Sequence, residues 1–138
     1  MRIKTILSLV GPLALSCIAG SSSAHHAFSA EFDADAPVEL KGTVTRMEWI
    51  NPHSWIHIDV VNEAGEVEKW MVEGGAPNAI LRRGFTADSL QPGTVILVEG
   101  YQARDRSFRA NGRDITFEDG TKLFGFGIGS RGAPDGLD

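Results

Sequence analysis

The chain has a single cysteine, Cys17, among 138 residues, and it lies in an N-terminal segment that reads as removable. Without it, disulfides, thiolate metal sites and cysteine nucleophiles are excluded together. Basic residues are scarce too, with 13 Lys and Arg against 18 Asp and Glu; leaving out Arg2 and Lys4, the chain from His25 onward carries 11 against 18, a net charge of −7. That balance argues against a nucleic-acid binder, which needs a basic face to neutralise phosphates. No apolar run approaches the roughly 20 residues that span a bilayer. No nucleophile elbow, phosphate loop or HExxH motif occurs, so an enzyme has no motif to stand on. Pairs such as His57 with Asp59, or Glu48 with His53, set no productive hydrogen bond by spacing alone. The length leaves room for one globular domain and excludes a multi-domain enzyme.

At the N-terminus, Arg2 and Lys4 precede a 14-residue apolar stretch, Ile6 to Ala19, and then Ser22-Ser23-Ala24. A positive end, a short apolar centre and small residues make the layout of a secretory signal peptide. Residues 1–24 are therefore expected to be cleaved, placing the mature chain in the periplasm with His25 as its first residue. The alternative is lipidation at Cys17, although Ala14-Leu15-Ser16 sets the leucine one place too late for a lipobox. A domain held without disulfides must rely on its core, which about 114 residues can supply.

After an acidic arm, 25–37, whose large apolar anchors are Phe28 and Phe32, the pattern is that of strands. Val38 to Trp49 alternates, with Val38, Leu40, Gly42 and Val44 on one face, and a parity change at Met47 and Trp49 predicts a bulge near Arg46. Asn51-Pro52-His53 is a turn. Ser54–Val61 and Val67–Glu73 form a hairpin that points Ile56, Ile58 and Val60 inward and Trp55, His57 and Asp59 outward. Pro77 opens a short helix over 78–83, closed by Gly84 in a left-handed cap. Thr94–Ala103 and Arg109–Phe117 are the fourth and fifth strands, and a hairpin through Asp119-Gly120 returns Lys122 to Phe124. The glycine-rich tail 125–138 is expected to be disordered. Five strands with a helix between the third and fourth predict an all-β domain over 38–124, an OB-like five-stranded Greek-key barrel; a β-sandwich needs more strands.

His25-His26-Ala27-Phe28 with Glu31-Phe32-Asp33, and Asn51-Pro52-His53 with Trp55, carry a resemblance. With Leu81-Arg82-Arg83-Gly84, Pro92-Gly93 and Glu99-Gly100-Tyr101 added, the chain resembles a family of small exported bacterial proteins known only as a domain of unknown function. The resemblance implies periplasmic placement and an OB-like barrel, and no activity, substrate or cofactor.

All four histidines fall within 33 positions, at His25, His26, His53 and His57. A terminal histidine can chelate an ion through its amine and ring. With His26 and His53 it would form a nitrogen-rich site suited to copper first and zinc second, with Glu31 or Asp33 as alternative oxygen ligands. His57 is about 13 Å along the strand from His53 and cannot readily share the ion. The competing reading treats these histidines as incidental and the domain as an OB-type binding module. It would hold a protein, peptide or saccharide on Trp49, Trp55, His57 and Tyr101, while Trp70 fills the core. Arg82-Arg83 and Arg104 with Arg106 are either anion sites or solvated charges.

Overall fold

The computed structural model describes residues 28–124 and 126. One helical turn at 28–31 leads into β1 (Phe32–Glu48). There follow β2 (Trp55–Val61), β3 (Val67–Glu73), the helix α1 (Pro77–Leu81) and a 3-10 turn, Ala87–Leu90, and then β4 (Val95–Ala103), β5 (Arg109–Phe117) and β6 (Lys122–Phe124). The domain is all-β, mostly antiparallel, with short helices. Side chains alternate across a strand, so Ile56, Ile58, Val72, Ile96, Val98 and Ile115 lie in the core while Trp55, His57, Met71 and Leu97 do not.

β1 pairs with β2 on one side and β4 on the other, β2 pairs with β3, and β4 with β5, all antiparallel. β3 also pairs in parallel with β5, over Met71–Glu73. Such a sheet needs a long, bent first strand, and β1 provides it with the expected register shift between Val44 and Arg46.

Several boundaries differ from the sequence reading. β1 begins at Phe32, not Val38, because Phe32 is buried and sits opposite Ala103, with a second register shift between Phe32 and Pro37 that accommodates the acidic residues. The latter half of the expected arm is thus strand. α1 stops at Leu81, and Gly84 takes the expected left-handed conformation at φ 88°. The 3-10 turn was not foreseen. It is closed by reciprocal bonds of Thr86 and Ser89, a short capping box with no apolar periodicity to announce it. Phe126, which the composition assigned to the tail, is fully buried. The rest of that tail and the segment 1–27 lie outside the described residues.

Candidate functional site

Residues directly opposed on neighbouring strands point to the same side of a sheet. The register therefore lays out a row, Glu48, Trp55, Glu73, Asn111 and Tyr101, across β1, β2, β3, β5 and β4. These residues stand on the face away from the core. Below them runs a second row, Arg46, His57, Met71 and Arg109. The turn before β2, with a cis bond between Asn51 and Pro52, presents His53 to Glu73 in the middle of the first row.

His53 is held by a carboxylate. Its Nδ1 lies 2.8 Å from Glu73 Oε1, and Asn111 Nδ2 donates to Glu73 Oε2 at 3.3 Å. Glu73 and Asn111 are only 5% and 2% exposed, whereas the His53 side chain is 33% exposed. Nδ1 faces the carboxyl, and Nε2 bonds to no described residue. Glu73 closes the alternation of β3 on its outward side, so by pattern it reads as a solvated residue. The β5 pairing sets Asn111 against it, and it is buried.

Burial pushes the Glu73 carboxyl above its ordinary value of 4.5, against the opposing pull of His53 and Asn111. The folded state then holds this proton more tightly than the unfolded one. Its contribution to stability falls as pH rises from the ordinary carboxylate value through the folded one. Glu73→Gln removes that slope. The stability of the natural chain relative to Glu73→Gln should fall as pH rises above about 4.5, the ordinary carboxyl value, measured by urea unfolding at each pH. An unchanged difference would show that the carboxyl is not held high.

The arm covers this face through arginines of the β4–β5 hairpin. Arg104 donates from its backbone N–H to Glu31 O at 2.9 Å and from Nε to Ser29 O at 2.6 Å. Arg106 reaches Asp33 at 2.7 Å, and Arg109 reaches Glu31 at 3.0 Å. The Asp35 N–H, with Arg106, holds the Asp33 carboxyl below the usual range. The Arg109 guanidinium also lies 5.6 Å from the Trp55 ring and 6.0 Å from Phe32, within cation–π range. Phe28 meets Phe32 at 5.9 Å and Tyr101 edge-on at 5.8 Å. Arg104 and Arg106 thus engage the chain's own arm, and Glu31 and Asp33, offered above as oxygen ligands, are engaged by arginines.

Of the residues singled out by sequence, His53, Trp55 and Tyr101 share this face. His57 stands one row away in a cluster of its own, with Nε2 3.0 Å from Glu48 Oε1 and 3.0 Å from Arg46 NH2. Trp49 packs against the core from its edge. Trp70 is core, as expected, with Nε1 donating to Glu68. His25 and His26 lie outside the described residues. Among the described residues no group of three or more His, Cys, Asp or Glu could hold a metal ion, and no helix is long and apolar enough to cross a membrane. Glu73, Asn111 and Arg109 were missed, since each is far from His53 in sequence and no motif links them.

The family of unknown function (DUF6152) matches residues 14–112, and the chain belongs to it. No curated protein and no solved structure matches the chain.

Proposed function

We propose that this is an exported, periplasmic protein that binds a divalent metal, copper first and zinc second, through His53 together with His25 and His26. One observation carries the reading: His53 gives Nδ1 to a buried carboxylate that Asn111 fixes in turn, and keeps Nε2 unbonded on a partly exposed ring. Metal-binding histidines recurrently have this arrangement, because the carboxylate orients the ring and raises the basicity of the coordinating nitrogen. A chain processed after Ala24 would add the His25 amine and ring, completing a nitrogen set suited to Cu(II). The acidic net charge would favour a cation. The scaffold we propose is the OB-like barrel, supported by the sequence of pairings from β1 through β2, β3, β5 and β4 back to β1.

The alternative is an OB-type module for a protein, peptide or saccharide, and what favours it is that Trp55 and Tyr101 stand on one face. Arg109 and Phe28 already lie against those two rings, so the metal reading is preferred. Cu(II) titration calorimetry on a chain beginning at His25 tests it. His53→Ala and a chain extended before His25 should each bind more weakly, and Glu73→Gln should cost about tenfold or more through the ring it orients. His57→Ala should bind as the natural chain does. Equal affinity in all of these would refute the site and put the binding module first.

A further inference from the structure

We propose that the open edge of β3, over residues 67–69, is a docking site where an extended segment of a partner protein, alternating apolar and basic residues, adds to the sheet as one more strand. Val67 lies about 20 Å along β3 from Glu73, so this edge is separate from the His53 site. β3 pairs with β2 from Val67 to Glu73, but with β5 only from Met71 to Glu73. Its first half therefore has a neighbour on one side only. Successive residues of an antiparallel pair turn their backbone groups alternately toward and away from the partner strand. Met71 donates its N–H to Phe108 O at 2.9 Å, away from β2, so Val67 and Lys69 point their N–H and C=O groups the same way. Among the described residues no strand takes up those groups.

Proteins ordinarily shield such an edge with charge, proline or a covering loop. Here apolar side chains surround it. Of the five exposed large apolar residues among those described, Val61, Val67 and Phe108 stand at this edge. Val61 and Val67 are directly opposed on the outward face, whereas the Phe108 ring lies 5.3 Å from that of the buried Trp70, on the inward side. An added strand would thus find apolar contact on both its faces. Charge sets the kind of partner. Glu63, Glu66 and Glu68 lie along this end of the hairpin, and Asp59 stands opposite Lys69, the one base there. Glu68 accepts from the neutral donors Asn62 Nδ2 and Trp70 Nε1, so no described cation offsets its charge. Basic residues on the incoming strand would offset it. A second copy would not, because pairing two β3 edges through Val67 and Lys69 sets Glu68 opposite Glu68, and like charges there repel.

The experiment titrates the natural chain with a hexapeptide of alternating lysine and valine, reading affinity by calorimetry and amide exchange by nuclear magnetic resonance. Binding should slow exchange of the Val67 and Lys69 amides about tenfold or more. The same peptide N-methylated throughout keeps its charge and apolar surface but has lost its backbone donors, and it should bind about tenfold more weakly or worse. Glutamate in place of lysine should cost about threefold or more. Val67→Lys and Phe108→Ala should each weaken binding about fivefold or more. Val67 is exposed and lysine is at home on a strand edge, so Val67→Lys keeps its fold, which circular dichroism checks. Equal affinity for the methylated or the acidic peptide would overturn the proposal, as would unchanged binding by Val67→Lys or unaltered Val67 and Lys69 amides at millimolar peptide. Amides already protected in the free chain would also overturn it, the edge then being taken. A dimer in sedimentation that Val67→Lys dissolves would give the edge to a second copy instead.

Discussion

Phe126→Ala should destabilise the domain by about 3–5 kcal/mol, as large-to-small substitutions at filled aromatic positions do. Its ring is fully buried in the space that two glycines leave open, since a Cβ on Gly74 would come within 2.3 Å of it and one on Gly112 within 3.1 Å. Its backbone is tied at both sides, accepting from Gly75 N–H at 2.6 Å and donating to Arg113 O at 2.8 Å. The segment after β6 thus closes the core beside the end of β3. Against a typical stability of roughly 5–15 kcal/mol the loss is severe. Phe126→Leu, which keeps most of the volume, should cost about 1.5 kcal/mol or less. Urea unfolding followed by circular dichroism separates the two; coincident midpoints for Phe126→Ala and the natural chain would show that the ring is not part of the native core.

Gly100→Ala should cost about 3 kcal/mol, the upper part of the usual range for forcing an atom into a packed interior. The added Cβ would lie 2.1 Å from the Asn111 carbonyl oxygen and 3.2 Å from Gly112 Cα. Both are backbone atoms of the paired strand, so relief means parting β4 from β5 where Tyr101 faces Asn111. That displacement also moves the amide that holds Glu73. On the proposed metal reading, the variant should therefore lose Cu(II) affinity beyond what its unfolded fraction explains. Gly65→Ala is the contrast. Its φ of 82° strains an alanine, yet nothing lies within 4 Å, so about 1 kcal/mol is expected. Thermal unfolding of the pair would contradict this account if the two lost the same stability.

Much of the fold was legible because alternation needs only local chemistry. β3 and β5 have the limits the pattern predicts, Gly84 has its positive φ, and the parity change at Met47 and Trp49 corresponds to the shift after Val44. A strand with one buried face must repeat every two residues, and a turn must put glycine where φ is positive. The start of β1 was not legible. Asp33-Ala34-Asp35-Ala36 has no strand pattern of its own and lies in a register shift between two pairs, Phe32 opposite Ala103 and Pro37 opposite Tyr101.

The candidate site divides along the same line. His53 stood out by its type and its place in a turn, and Trp55 and Tyr101 by their aromatic character on outward-facing positions. Glu73, Asn111 and Arg109 carry no such mark: an acid ending a strand, an amide within one and an arginine beginning one are ordinary surface choices. The sequence by itself determined the strands, their inward faces and the turn that displays His53, since each follows from contacts between residues near in the chain. Only the tertiary structure decided which strands lie side by side. The parallel approach of β3 to β5 brings Asn111 against Glu73, and Glu31 of the arm meets Arg109 at the start of β5. These contacts join residues 38 and 78 positions apart, and no local pattern encodes a partner at that distance.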